Sequence, residues 1–89
     1  MDNPLKVSRF ARYAIDDDGS ATLLHTVTGR WLALSHVAGR FWTCCVDNLS
    51  FDDAYTSLSA HYDVPRDEIQ ASLETTIATL RRHRMLVKA

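Results

Sequence analysis

The residues of this chain best equipped for chemistry are His25, His36, His61 and His83, the adjacent pair Cys44-Cys45, and the serines Ser35 and Ser50. Their spacing gives them no joint task. The histidines fall one in an expected strand and the rest on different expected helices, and neither they nor the cysteines have metal-ligand spacing. Neighbouring residues on a helix point to different sides, so Cys44 and Cys45 would form only a strained disulfide, and they fit small apolar packing positions in a reducing compartment. Ser35 and Ser50 each precede an apolar-periodic run, where a serine caps a helix. Gly19, Gly29 and Gly39 are too dispersed to cradle a phosphate. The chain therefore reads as non-catalytic, with no metal and no cofactor.

The segment Thr28 to Trp42, TGRWLALSHVAGRFW, points instead to a binding surface. Arg30 to Leu34 has strand character, and the pattern then switches abruptly. Val37, Ala38, Phe41, Trp42 and Cys45 recur at helical spacing behind Ser35. Before this junction, Phe10, Tyr13 and Ile15 mark a strand closed by Asp16-Asp17-Asp18-Gly19-Ser20, a strong reversal signal. Ala21 to Val27 makes a second strand, and Thr28-Gly29 a second reversal, with a bulge expected at Gly29.

After the junction come helices. The first spans about His36 to Val46. The second follows Ser50 with Phe51, Ala54, Tyr55, Leu58 and Tyr62 on one face, and Asp53 sits where a capping box places its acid. The third starts near Pro65, with Asp67 and Glu68 complementing its dipole and Ile69, Leu73, Ile77 and Leu80 in one stripe. Met85-Leu86-Val87 is expected to close back over the core. The fold class is thus α+β and winged-helix-like: a three-stranded antiparallel meander at the front, followed by three α-helices.

With 89 residues there is room for one domain, 1–89, whose opening residues 1–8 are expected to be flexible. A formal charge of −1 gives no prior for nucleic acid or an anionic membrane. No apolar run is long enough to span a bilayer and the start lacks a signal-peptide core, so a cytoplasmic location is expected. The cluster Arg81, Arg82, Arg84 and Lys88 suits a helix C-terminus, with phosphate binding as the alternative. A DNA-binding winged helix shares this layout. It would insert the first turns of the third helix into a groove, and Asp67, Glu68 and Glu74 against Arg66 would repel phosphates there.

From about Ala21 to Val87 the chain resembles the PqqD-like family, the recognition elements of ribosomally made, post-translationally modified peptides. Thr28 to Ser35 stands in place of the family's turn, aromatic strand and Leu-Asn junction, with Ser35 for the usual Asn. Trp42, the run Leu58, Tyr62, Asp63, Val64 and Pro65, and the closing Arg84-Met85-Leu86-Val87 carry the rest, with Arg84 for the usual Gly. The chain looks most like the discrete leader-binding protein of lasso-peptide pathways.

That resemblance implies several partners. They are a precursor leader peptide, a separate cysteine protease that removes the leader, and an asparagine-synthetase-like enzyme that closes the macrolactam ring. The other standalone member type presents its peptide to a radical enzyme in pyrroloquinoline quinone synthesis. The resemblance also places the leader between the third strand and the third helix.

The residues support such a mode independently. An edge strand's free N–H and C=O groups can template another strand, while flanking pockets give specificity. The expected peptide-binding residues are Arg30, Trp31, Leu32, Ala33 and Leu34 on the strand, and Ile69, Leu73, Thr76, Ile77 and Leu80 on the helix. Leu32, Leu34, Leu73 and Ile77 fit core packing equally well. Trp31 and Ala33 belong to the opposite sheet face, and Thr76 and Thr79 to the groove rim. The same exposed edge allows a monomer or a weak homodimer.

Overall fold

A computed structural model describes residues 5–89. In chain order the elements are β1 (Leu5–Val7), β2 (Ala11–Ile15), β3 (Ala21–His25), β4 (Trp31–Leu34), α1 (His36–Val46), α2 (Phe51–Tyr62), α3 (Arg66–Arg82) and β5 (Leu86–Lys88). β2, β3 and β4 form the antiparallel meander in that order, so the α+β, winged-helix-like expectation holds. A second sheet pairs β1 with β5, Leu5 opposite Lys88 and Val7 opposite Leu86.

That ribbon was not expected. Residues 5–7 lie within the stretch read as flexible, yet they form β1; residues 1–4 of that stretch lie outside the described residues. The closing segment Met85-Leu86-Val87 does return to the core, with Met85 and Leu86 fully buried. Ser8 N–H then donates to Met85 C=O at 2.8 Å and locks the two chain ends together.

Two strand and cap details differ from expectation. β3 stops at His25 rather than Val27, because the buried His25 ring turns its Nδ1 toward the following amides. It accepts from Val27 N–H at 3.3 Å and Thr28 N–H at 3.2 Å, which curls the chain out of the sheet. Gly29, at φ 73°, completes the reversal by donating to His25 C=O. Ser35 occupies the N-cap position of α1 without a side-chain cap bond, whereas Ser50 Oγ accepts from Asp53 N–H at 3.1 Å as a cap should.

All three helices end in one manner. Asn48, Asp63 and Arg84 adopt left-handed backbone at φ 64°, 53° and 60°. In each case the next amide reaches back five residues: Leu49 to Cys44, Val64 to Ser59, Met85 to Leu80. These are Schellman turns, which satisfy carbonyls left open at a helix end. Asn and Asp tolerate that conformation; Arg84 holds it at the position where the resemblance led to a Gly.

The core lies between the inner face of the meander and the helices. Trp42, Phe41, Leu23, Leu73 and Leu80 are its largest fully buried members, with Phe41 stacked on Tyr55 at 6.1 Å. α1 presses directly on the β2–β3 turn. A Cβ on Gly39 would lie 2.1 Å from the Gly19 carbonyl oxygen, so only glycine allows that approach.

Candidate functional site: the groove between β4 and α3

Backbone parity sets the site. His25 N–H donates to Arg30 C=O at 3.0 Å, making that pair a hydrogen-bonded one. The register pairs Leu23 with Leu32 and Ala21 with Leu34, so these alternate pairs share the hydrogen-bonded phase. Trp31 and Ala33 take the other phase, and their N–H and C=O groups project from the free edge of β4. The β2–β3 ladder gives the same answer: Thr26 N–H donates to Phe10 C=O and Asp16 N–H to Ser20 C=O, which leaves Ala21, Leu23 and His25 to bond β4. Among the described residues no strand pairs with the outer edge of β4, which leaves it an open template.

The free edge faces a groove with two connected hollows. The first, about 250 Å³, lies between Leu32, Ala33, Leu34 and Ser35 of the strand segment and Thr75, Thr76 and Thr79 of α3. The second, about 340 Å³, extends toward the α2–α3 turn past Ser35 and Ala38, with Tyr62, Val64, Ile69, Leu73 and Thr76 around it. Ala38 and Thr76 line both, so the two hollows form one continuous trough. Tyr62 is oriented by His36, whose Nδ1 lies 3.0 Å from the phenol oxygen.

Of the ten expected residues, the structure brings Leu32, Ala33, Leu34, Ile69, Leu73 and Thr76 to the trough walls. Leu80 is wholly buried in the core, and Ile77 packs against that core half-buried. Trp31 is 66% exposed on the outer sheet face, and Arg30 is exposed at the turn. Thr79, expected on the groove rim, lines the trough, and so do Ser72 and Thr75, which were not expected there. The signal for them was present in the sequence: small polar residues at 72, 75, 76 and 79 alternate with the apolar stripe at 69, 73, 77 and 80.

The would-be reactive groups are quiet. Burial is the main force pushing the Cys45 thiol up to about 12, with Cys44 beside it adding to the shift. Burial also raises Cys44, helped by Asp47. Both stay as thiols at neutral pH, and the thiolate is the nucleophile. Among the described residues, no three of His, Cys, Asp and Glu converge to hold a metal. No helix there is long and apolar enough to cross a membrane.

The model of coenzyme PQQ synthesis protein D (PqqD) matches residues 21–86, most of the chain. The chain belongs to the PqqD family. Two solved structures share its fold. TbiB1, solved in complex with the TbiA(beta) leader peptide, is 26% identical at a TM-score of 0.83, covering 91% of this chain and 93% of its own. A lasso peptide synthetase B1 complexed with its leader peptide is 20% identical at a TM-score of 0.79, covering 94% and 98%. No curated protein sequence gives a significant match. The match to the PqqD family runs from the start of β3 to the first residue of β5, so both walls of the trough lie inside the family region.

Proposed function

We propose that this PqqD-family protein captures the leader region of a ribosomal precursor peptide as an added strand on β4. It would then present that peptide to a leader peptidase in lasso-peptide maturation. The observation that carries this reading is the alternation along β4: Trp31 and Ala33 offer unpaired N–H and C=O groups beside a trough of mixed small polar and apolar lining. Backbone pairing supplies sequence-tolerant affinity, and the hollows read alternate side chains. The likeness to TbiB1 in its leader complex supports the same use of the fold.

The quiet thiols favour a binding role over a nucleophilic one. The first turn of α3 disfavours the DNA reading, since Asp67 and Glu68 open it and Arg66 is engaged with Asp52 at 2.6 Å. The family's own description favours one further reading, a peptide chaperone for a radical enzyme in pyrroloquinoline quinone synthesis. The two share the capture step and differ in the enzyme served.

Titration of the leader segment of the cognate precursor tests the reading. A strand-sized peptide must pay for its own ordering, so the expected Kd is about 10 nM to 10 μM. The isolated core segment should bind far more weakly; equal binding of core and leader contradicts the proposal. Added to a leader peptidase, the protein should speed cleavage by raising the local concentration of the scissile site. Stimulation of a radical enzyme in place of the peptidase would transfer the function to the quinone pathway.

A further inference from the structure

Another hollow, about 530 Å³, lies between the β3–β4 turn and the β1–β5 ribbon. Its lining includes Lys6, Arg9 and Arg84 and no carboxylate. None of the three forms a salt bridge within the described residues; the ion pair found there is Arg66–Asp52. Apolar surface lies between the cations: Phe10 is 38% and Val27 68% exposed, with the Arg9 guanidinium 4.8 Å above the Phe10 ring.

His25 also belongs to this lining although it is only 4% exposed. Its Nδ1 accepts two amide hydrogens, which places the ring hydrogen on Nε2. No described residue accepts that hydrogen, and His25 lines the hollow. The hollow thus combines the three cations, the His25 ring, the hydroxyl residues Ser8 and Thr28, and the apolar Val7, Phe10, Val27 and Val87, a lining complementary to a carboxylate next to a hydrophobic residue.

Position decides what brings such a group there. Along α3, Thr76 and Thr79 line the trough, and Arg84, just past the helix end, lines the hollow; along β4, Ala33 lines the trough, and Thr28, in the turn that precedes the strand, lines the hollow. At about 3.3 Å per residue, Ala33 to Arg30 spans about 10 Å, so a strand lying on β4 reaches the hollow within about three further residues.

We propose that this hollow holds an acidic, apolar-flanked segment of the same peptide, immediately beyond the stretch that pairs with β4. The inference rests on the strand-addition reading and adds to it a charge requirement at one flank. That flank would fix the direction and register of the peptide, which backbone pairing leaves weakly specified. Its contribution should weaken with salt, because the three cations are solvent-accessible.

A display library of random peptides tests it. About 16 residues suffice to cover β4 and reach the hollow at strand spacing. Selected on the full chain, winners should carry Asp or Glu at one flank only, next to an apolar residue. A synthetic winner should lose about ten-fold in affinity at low salt when its flanking acids become Asn or Gln. The Arg9→Gln/Arg84→Asn double variant, in which Asn tolerates the left-handed backbone of position 84, should bind the acidic winner about as weakly and the neutralised peptide as wild type does.

Winners without acid enrichment, or an acidic winner that binds within two-fold after neutralisation, overturn the inference while leaving strand addition intact. Nanomolar binding of duplex DNA lost in the same double variant would also overturn it, assigning the cations to phosphates. The Thr76→Arg variant separates the two levels. If it retains the selected peptides, the groove reading itself has failed, and this inference fails with it.

Discussion

The meander meets two helices in opposite ways. Against α1 the contact is as close as backbone permits, with Gly39 set on the Gly19 carbonyl and fully buried Phe41 and Trp42 beside it. Against α3 a trough remains, walled on the helix side by Ser72, Thr75, Thr76 and Thr79. The difference is one of side-chain chemistry on otherwise similar amphipathic helices. Where α1 presents glycine and aromatics, strand and helix fuse into core; where α3 presents small hydroxyls, β4 keeps a free edge. The proposed docking site is a place where the core is left open on one side.

Truncating Leu73 should have the largest effect, because this fully buried residue serves both core and trough. Leu73→Ala should cost about 2–5 kcal/mol in denaturant unfolding and weaken leader binding as well. Gly39→Ala comes next. Its Cβ meets backbone rather than a flexible side chain, so a loss of about 1–3 kcal/mol is expected, with leader affinity of the folded fraction unchanged. If Gly39→Ala is as stable as wild type, the close contact with α1 is not what anchors the sheet.

On the open side the pattern should invert. Thr76→Arg, at a half-buried rim position, should block leader binding while shifting unfolding by less than about 0.5 kcal/mol. Normal binding by that variant would place the site elsewhere. The smallest effect is alkaline. Below about pH 9 Cys45 is a thiol folded or unfolded; above that value the unfolded state ionises first, because burial holds the folded thiol up to about 12. Stability should therefore fall as pH rises from about 9 towards 12, and Cys45→Ala should flatten that fall. An alkaline loss identical in the variant would assign it to other groups.

The same contrast explains what the sequence made legible. The helix starts were readable to within a residue, since the apolar stripes and the Ser50 cap are local signals. The β1–β5 ribbon was not, because three-residue strands show no alternation and their partners lie at opposite ends of the chain. β3 was read too long because a histidine ring, an unusual acceptor for turn amides, ends it. On α3 the apolar stripe drew attention to Leu80 and Ile77, which the core absorbs, while the lining hydroxyls sat one position away. Periodicity marks which residues are apolar; the gap left beside β4 depends on how closely two elements approach, which no local pattern records.

Amide hydrogen exchange along β4, with and without the leader peptide, tests strand addition most directly. In the free protein, the outward N–H groups of Trp31 and Ala33 should exchange rapidly, while those of Leu32 and Leu34, bonded to β3, are protected. Saturating leader should protect Trp31 and Ala33 and leave Leu32 and Leu34 little changed. Leader binding that leaves Trp31 and Ala33 exchanging as fast as before would contradict the account.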